Sequence, residues 1–296
     1  MGGSSLPLPP AELAARVGTV EGADPLEFYL AEGARLRRVI ESLLPEDWDW
    51  ENKQVLDFGC GSARVLRHFE PEARGGRFWG CDIDEPSIRW AESKLSPPFR
   101  FFGNGLVPPL QLPVRTLDLI WAMSVFTHIT DQWSAWLLEM HRVLAPGGIL
   151  IASFLGEGMW APLVGEPYVE DEVGMTVLHH WEGPDAWVFH SEWWLREHWG
   201  RAYEVLTVQD PPRGPDGTPE ITHSYVALRR RELKVTPAQL ERVDPIPGEL
   251  AALQTSLRLS RREMGDLHQQ LAPAAGAGFL RRRLERLSGS TKASPR

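Results

Sequence analysis

The sequence predicts an α/β fold in which a doubly wound, mostly parallel sheet with an antiparallel edge precedes a helical carboxyl-terminal extension. Between residues 54 and 154, short apolar runs alternate with segments of helical periodicity. Strands that alternate with helices need crossover connections and therefore pair mostly in parallel. Two later strands, joined by a loop rich in Pro and Gly at 211–219, predict the antiparallel edge. Leucines at heptad spacing after residue 249 predict the extension.

The predicted elements follow one another in a regular order. A helix begins at Asp24-Pro25, which joins a capping side chain to a proline suited to the first helical turn, and Pro45 ends it. Strands are predicted at 54–58, 77–81, 100–102, 117–123 and 149–154, and helices at 63–69, 85–95 and 131–144. An irregular stretch then reaches residue 190. A helix at 191–199 and two strands at 203–209 and 224–230 complete the sheet.

The 296-residue chain divides into three predicted regions. Residues 1–24 form a flexible arm with a short helix, residues 25–231 an α/β domain, and residues 232–296 a separate helical tail. The tail places apolar side chains at a and d positions, namely Leu250, Leu253, Leu257, Met264, Leu267 and Leu271. A coiled coil of about three heptads is therefore predicted. A break is predicted at 272–278, followed by a second, Arg-rich helix.

Charge is unevenly distributed along the chain. The net charge is −9, but residues 229–296 carry 14 basic and 7 acidic side chains, which leaves 17 basic and 33 acidic ones in residues 1–228. Such an acidic body lacks the clustered Lys and Arg that phosphate contacts need, so no specific nucleic-acid partner is expected. Two cysteines are too few for a disulfide framework or a four-cysteine zinc site, and no metal site is predicted.

No apolar run approaches the roughly 20 residues of a membrane-spanning helix. The amino terminus, MGGSSLPLPP, has neither the basic nor the apolar region of a signal peptide. We therefore expect a soluble, cytoplasmic protein.

The segment VLDFGCGSAR, residues 55–64, places an acidic residue and two glycines between a buried strand and a helix. Gly59 and Gly61 permit a sharp turn and a close approach by a ligand. A dinucleotide-binding turn would need a third glycine where the chain has Arg64, so a nicotinamide-dependent oxidoreductase is the weaker alternative. Asp57 would repel an anionic ligand and favour a cationic one.

Asp82 ends the WGCD segment, 25 residues after Asp57. A carboxylate at such a strand end accepts hydrogen bonds from both ribose hydroxyls in nucleotide-binding folds. Asp84 is the alternative for this role.

Together these segments resemble the class I S-adenosylmethionine-dependent methyltransferases, whose sheet is Rossmann-like. Five segments match that family's motifs in the right order: DFGCGSAR, CDID, FFGNGL, LDLIWAMSVFTHI and HRVLAPGGILIASF. The resemblance is strong over about residues 55–154 and looser over 190–230. It implies S-adenosylmethionine as the cofactor.

The resemblance also implies which residues bind the cofactor. Asp57, Gly59 and Gly61 would hold the methionine portion, Asp82 the ribose, Gly103, Asn104 and Gly105 the adenine, and Ser124 would lie beside the sulfonium. Two positions depart from the family pattern. Ala63 stands where a third glycine is frequent, a change that the helix start should tolerate. Asn104 stands where an aspartate is frequent, and because its carbonyl still accepts a hydrogen bond, we expect weaker adenine binding.

The implied reaction is methyl transfer to an O or N nucleophile of a small-molecule or glycan-like acceptor. Alignment of the reacting groups can supply roughly 7–11 kcal/mol. A hydroxyl acceptor also needs a general base, for which His128 is the first candidate and an ordinary loop hydrogen bond is its alternative role. His179, His180 and His190 are further candidates. The alternative function is a non-catalytic S-adenosylmethionine-binding scaffold that acts through the tail.

All 13 tryptophans lie at or before Trp199. Trp181 and Trp187 are predicted to line the site of an aromatic or sugar-like acceptor, whereas Trp193, Trp194 and Trp199 are predicted to pack their helix on the sheet. Two partners are considered for the tail. One is a second copy, bound through the coiled coil, and the other is an anionic surface in weak contact with the arginines near the end of the chain.

Overall fold

A computed structural model describes residues 6–18, 22–179 and 186–288, with side chains described up to residue 269. The helices are α1 (Ala11–Ala15), α2 (Pro25–Leu43), α3 (Glu70–Ala73), α4 (Glu85–Leu95), α5 (Trp133–Val143), α6 (Glu157–Val164), α7 (Glu192–His198), α8 (Pro237–Leu240) and α9 (Pro247–Ser288). The strands are β1 (Gln54–Phe58), β2 (Arg77–Asp82), β3 (Arg100–Gly103), β4 (Leu117–Ala122), β5 (Leu144–Phe154), β6 (Thr176–His179), β7 (Ala186–Phe189), β8 (Tyr203–Gln209) and β9 (Ser224–Arg230).

Seven strands form one sheet in the order β3-β2-β1-β4-β5-β9-β8. The five strands from β3 to β5 pair in parallel, whereas β9 pairs antiparallel with β5 and β8 antiparallel with β9. The predicted doubly wound sheet with an antiparallel edge is confirmed. The strand order reverses between β1 and β4, and ligands of such sheets bind at the carboxyl ends of the strands beside this point.

Helices cover both faces of the sheet. On one face, α5 and α7 contribute Leu137 and Leu195 to a core cluster. On the other face, α2 and α4 contribute Ile40 and Leu95 to a second cluster. Because full burial of one such side chain contributes about 1.5–3 kcal/mol, the two layers fix the strands whose carboxyl ends carry the predicted site.

The helix predicted at 63–69 is wrong. Only a 3₁₀ turn forms, at Leu66–Phe69, and α3 follows it. Gly61 and Ala63 have left-handed backbone conformations, with φ of +51° and +66°. A right-handed helix cannot contain such residues, so the helical segment begins only after the turn.

The stretch before residue 190 has more structure than predicted. It contains α6 and an antiparallel hairpin formed by β6 and β7. Between them lies a third apolar cluster, in which Trp160 and Phe189 pack with Leu259 from α9. The hairpin therefore depends on a helix about 70 residues further along the chain.

The described part of the carboxyl-terminal region is attached to the domain. Leu240 of α8 is fully buried in the first core cluster. Near the start of α9, Glu249 Oε1 lies 2.8 Å from His198 Nε2, and both side chains are buried. These contacts bind α8 and the start of α9 to the body of the protein. The division of the chain at residue 231 stays a prediction.

The predicted break at 272–278 is wrong, because α9 continues through it to Ser288. The predicted a and d residues Leu250, Leu253, Leu257 and Met264 face solvent. The coiled coil and the homodimer through it stay predictions. The contact with an anionic surface also stays a prediction, since the arginines after residue 280 lie outside the described side chains. Within the described residues, no helix is both long and apolar enough to span a membrane.

The amino-terminal segment also contacts the domain. Leu13 of α1 is buried, and Arg67 Nη2 donates hydrogen bonds to the carbonyl oxygens of Leu6 at 2.8 Å and Pro7 at 3.1 Å. The predicted flexible arm is thus held against the body from residue 6 to residue 18. Its boundary at residue 24 stays a prediction.

Candidate active site

A cleft of about 790 Å³ opens at the carboxyl ends of β1, β2 and β4. Six of the nine predicted site residues line it: Gly59, Asp82, Asn104, Gly105, Ser124 and His128. Asp57, Gly61 and Gly103 are not among the lining residues. The cleft therefore lies at the sheet edge where ligands of doubly wound sheets bind.

The glycine turn after β1 forms the floor of the cleft. Gly59 has φ of +80°, and a Cβ there would lie 2.3 Å from Val125 Cγ2. A Cβ on Gly61 would lie 2.3 Å from Val17 Cγ1. Both positions thus require glycine. Ala63 has a left-handed backbone at the third position, which costs an L-residue about 1–2 kcal/mol relative to glycine, so this substitution is less neutral than expected.

Asp82 holds the glycine turn from the end of β2. Its Oδ2 accepts a hydrogen bond from the Gly61 backbone N–H at 2.7 Å, and its Oδ1 accepts one from the Asp84 backbone N–H at 2.8 Å. The carboxylate is half-buried and lines the cleft. Asp84 pairs instead with Arg16 at 2.6 Å and does not line the cleft. This geometry favours Asp82 over Asp84 for a role in ligand binding.

Asn104 presents a free acceptor in the same cleft. Its backbone N–H donates to the Asp82 carbonyl at 3.1 Å, and its Nδ2 donates to the Gly105 carbonyl at 2.9 Å. The Oδ1 atom is buried and has no hydrogen-bond partner among the described residues. A buried acceptor without a partner is costly, and a ligand N–H donor would satisfy it.

Asp57 lies below the cleft, with 2% of its surface exposed. Burial raises the pKa of this carboxyl group to about 7, and the negative charge of Asp82 adds to the shift. Its Oδ2 has no hydrogen-bond partner among the described residues. Asp57 does not line the cleft, so its predicted role in binding the cofactor stays a prediction.

The loop after β4 places Ser124 and His128 at the cleft. Ser124 has φ of +59°, and its backbone N–H donates to Ser153 Oγ at 2.7 Å. The His128 Nδ1 atom lies 3.0 Å from the Ala186 carbonyl oxygen. A carbonyl can only accept, so neutral His128 carries its proton on Nδ1. The Nε2 atom then keeps a lone pair that can accept a proton.

The hairpin of β6 and β7 is fixed beside this loop. The Val188 backbone N–H donates to the Thr127 carbonyl at 2.8 Å. Trp187 packs against the third apolar cluster and does not line the cleft, and its predicted contact with the acceptor stays a prediction. Trp181 and His180 lie outside the described residues.

The other two histidine candidates that the structure describes do not line the cleft. The His179 backbone N–H donates to Glu263 Oε1 of α9 at 2.9 Å. His190 is fully buried, and its burial lowers the pKa of the imidazole to about 3. His128 is therefore the one predicted base at the described cleft.

Several residues of the cleft were not predicted from the sequence. Arg16 and Val17 reach the cleft from the segment after α1, and Trp136 of α5 also lines it. Trp136 Nε1 donates to the Leu106 carbonyl at 3.1 Å, which connects α5 to the loop after β3. Among the residues that the structure describes, no group of three or more His, Cys, Asp or Glu side chains is suited to hold a metal ion.

Residues 56–152 match the sequence model of the family described as Methyltransferase domain. The malonyl-[acyl-carrier protein] O-methyltransferase of Serratia marcescens is 27% identical over 157 residues, which are 51% of this chain and 60% of that protein. The fatty-acid O-methyltransferase of Mycolicibacterium smegmatis is 25% identical over 103 residues, 35% of this chain and 37% of that protein. The chain spans about half the length of the curated relatives it matches.

A solved S-adenosylmethionine-dependent methyltransferase from Mesorhizobium loti shares the fold. The superposition has a TM-score of 0.53 at 17% identity and covers 65% of this chain and 96% of the Mesorhizobium loti chain. Residues 56–152 therefore form a methyltransferase domain, and the fold around them is that of a solved S-adenosylmethionine-dependent methyltransferase.

The matched part of this methyltransferase domain runs from β1 into β5 and includes Asp82, Asn104 and His128. The family match therefore includes the strand ends that form the floor of the cleft. The amino-terminal segment, α2, the hairpin of β6 and β7, and α9 are not covered by the family match.

Proposed function

We propose that the domain transfers a methyl group from S-adenosylmethionine to an oxygen of a small carboxylic acid. The observation that carries the proposal is the placement of the Asp82 carboxylate and the unpartnered Asn104 Oδ1 in one cleft with His128. Two relatives, a malonyl-[acyl-carrier protein] O-methyltransferase and a fatty-acid O-methyltransferase, support a carboxylic acid as the acceptor.

The residues present fit the cofactor. Asp82 keeps acceptor capacity for ribose hydroxyls beyond its two backbone hydrogen bonds, since an ionised carboxylate has about four lone-pair sites. Asn104 Oδ1 is free to accept from the adenine amino group. The turn at Gly59 lets a ligand approach the backbone. When bound, S-adenosylmethionine supplies an electrophilic methyl group on a positively charged sulfur.

The protein's part in the reaction is alignment. The Ser124 backbone is held by Ser153, so the loop beside the proposed methyl position has a fixed course. A carboxylate acceptor is already ionised near neutral pH, so it attacks with its own lone pair and no proton has to leave it. Positioning alone can supply roughly 7–11 kcal/mol of the barrier.

A hydroxyl acceptor is the second candidate, and the His128 tautomer favours it. With Nδ1–H donated to the Ala186 carbonyl, Nε2 is free to take the proton of an alcohol at the cleft. The two candidate acceptors differ in one respect: a hydroxyl acceptor needs His128 as a base, and a carboxylate acceptor does not.

A matched set of acceptors tests the proposal. Octanoate, 1-octanol and octylamine share one alkyl chain and differ in the end group. Each is incubated with wild-type protein and methyl-labelled S-adenosylmethionine, and the products are separated. We expect methyl octanoate as the main product. Transfer to 1-octanol alone would establish the second candidate, and transfer to octylamine alone would refute O-methylation.

Calorimetry with S-adenosylhomocysteine separates a wrong acceptor from a wrong cofactor. Wild-type protein should bind this product analogue, and Glu85→Ala, at an exposed position of α4, should bind it equally well. A wild-type protein that does not bind it would refute the proposed activity altogether.

A further inference from the structure

One buried histidine joins the two helices of the carboxyl-terminal extension to the body of the protein. His198, the last residue of α7, is 2% exposed. Its Nδ1 atom lies 2.7 Å from the carbonyl oxygen of Leu240, the last residue of α8. Its Nε2 atom lies 2.8 Å from Oε1 of Glu249, in the first turn of α9. A single imidazole ring therefore contacts both helices.

Both partners of the His198 ring are hydrogen-bond acceptors. A carbonyl oxygen can only accept, and so can an ionised carboxylate. A neutral imidazole has one N–H group and one lone pair, so it can satisfy only one of the two contacts. A ring that is protonated on both nitrogens makes each contact a hydrogen bond, and the contact with Glu249 is then also an ion pair. The geometry therefore matches the imidazolium form.

The surroundings of His198 suit a positive charge. The Trp194 ring stacks on the imidazole, with ring centroids 4.3 Å apart, and Trp133 of α5 makes an edge-to-face contact at 6.2 Å. The face of an indole attracts a cation. Glu249 is 5% exposed, and a buried carboxylate is unfavourable unless a positive charge pairs with it. Among the described residues, His198 is the one basic side chain within hydrogen-bond distance of this carboxylate.

The other titratable groups near His198 do not replace it as the partner of the carboxylate on α9. Asp244 lies within electrostatic reach of His198 but pairs with Arg201 at 3.0 Å. A second arginine, Arg242, binds the same aspartate at 2.9 Å. Burial, with the nearby charge of His198, lowers the pKa of His190 to about 3, so that ring is neutral near physiological pH. The charge of the contact between α7 and α9 therefore depends on His198 and its carboxylate partner.

We propose that His198 and Glu249 form a proton-dependent clamp that holds the carboxyl-terminal extension against the body of the protein. While the ring carries both protons, it binds α8 and α9 at once. When the ring loses one proton, an Nε2 lone pair faces the carboxylate at 2.8 Å, and two acceptors in contact repel each other. The clamp therefore stabilises the start of α9 at low pH, and this stabilisation is lost as the pH rises.

The helix that the clamp holds also supports the hairpin beside the cleft. Leu259 of α9 packs in the third apolar cluster with Phe189 of β7. The same hairpin contacts the loop after β4, where the Ala186 carbonyl oxygen lies 3.0 Å from His128 Nδ1. The clamp thus holds the helix against which this hairpin packs.

Glu249→Gln separates the proton from the contact. A glutamine amide can donate to the Nε2 lone pair of a neutral ring, so this variant keeps the hydrogen bond without the second proton. Glu263→Gln is the matched control, because it changes another α9 carboxylate near a histidine, with His179 Nδ1 and Glu263 Oε2 3.8 Å apart. Hydrogen exchange of the backbone amides of residues 250–257 is followed at pH 5.5 and pH 9 and corrected for the intrinsic effect of pH on exchange.

The pH dependence of this protection tests the clamp. In wild type and in Glu263→Gln, protection of these amides should fall at least about tenfold from pH 5.5 to pH 9, because a hydrogen bond between charged groups is lost. In Glu249→Gln it should change less than about threefold, since the amide contact carries no charge. Equal pH dependence in all three proteins would overturn the proposal.

Nitrogen NMR of the imidazole tests the charge in the wild-type protein itself. The protein is prepared with isotope-labelled histidine, and the His198 signals are assigned by their absence in His198→Gln. Both ring nitrogens of His198 should be protonated at pH 5.5. A ring with a free lone pair at that pH would place the second proton on Glu249 and overturn the proposal. Neither measurement depends on the proposed methyl acceptor.

Discussion

The Asp82 carboxylate accepts a hydrogen bond from the Gly61 backbone N–H at 2.7 Å. This contact joins the end of β2 to the turn after β1, two segments that are 21 residues apart. One side chain therefore both shapes the glycine turn and faces the cleft. Its loss should affect the ligand site more than the fold, because the carboxylate is only partly buried.

Asp82→Ala should weaken S-adenosylhomocysteine binding by about 2–3 kcal/mol, or roughly 30- to 150-fold, because hydrogen bonds to a charged acceptor are lost. Calorimetry measures the change. Asp84→Ala is the matched control, since Asp84 lies at the N-cap of α4, outside the cleft, and pairs with Arg16. Equal affinities for wild type and Asp82→Ala would remove Asp82 from the site.

Asp57→Asn should change the pH dependence of stability. The pKa of Asp57 in the folded protein, about 7, lies above the ordinary value of 3.8. Folded Asp57 is therefore protonated at pH 5 and ionised at pH 9, while the unfolded chain is ionised at both. Wild type should lose about 3 kcal/mol from this group as the pH rises from 5 to 9. Urea unfolding of Asp57→Asn should lack this loss, and identical pH profiles would contradict the prediction.

His128→Ala distinguishes the two acceptor classes. With octanoate the rate should fall less than about threefold, because no proton has to be removed. With an alcohol acceptor the rate should fall by about 10²- to 10⁴-fold, the usual contribution of a general base. His179→Ala, at a histidine outside the cleft, is the control. A large loss with octanoate would show that His128 acts on carboxylates as well.

His190→Phe should make the protein more resistant to acid. Burial lowers the pKa of His190 to about 3, against an ordinary value of 6.5, so the unfolded state binds the extra proton between these values. Stability from this group is complete above pH 6.5 and is lost as the pH falls. Between pH 8 and pH 5 the loss should be about 2 kcal/mol in wild type and absent in the variant. Urea unfolding at both pH values checks this difference.

Leu259→Ala tests the attachment of α9. Leu259 is 1% exposed in the third apolar cluster, so its truncation should cost about 2–4 kcal/mol of unfolding free energy. Leu253→Ala, on the same helix at 54% exposure, should cost less than about 0.5 kcal/mol. If both variants have the same stability as wild type, α9 does not pack on the hairpin in solution.

The sheet was predictable because its strands are short, apolar and bounded by helices, and Asp82 and Asn104 could be placed because they directly follow strands. The turn at Ala63 was not predictable, since only the three-dimensional structure shows that its backbone is left-handed. The hairpin before residue 190 could not be foreseen either, because it packs against Leu259 far along the chain.

The exposed and buried faces of α9 show what the heptad pattern could not predict. The heptad pattern selects Leu250 and Leu253, which are exposed, whereas the helix buries Ala252 and Leu259 against the domain. A pattern of leucines identifies a helix but does not tell which side meets the body of the protein. Likewise, Arg16 and Val17 reach the cleft from a segment whose sequence carries no sign of a ligand site.

Val17 stands directly over Gly61, the residue that Asp82 holds in place. Because Val17 also lines the cleft, the amino-terminal segment touches both the glycine turn and the space above it. A ligand that fills the cleft would therefore lie against this segment. We expect the rate of proteolysis near Val17 to change when the cleft is filled.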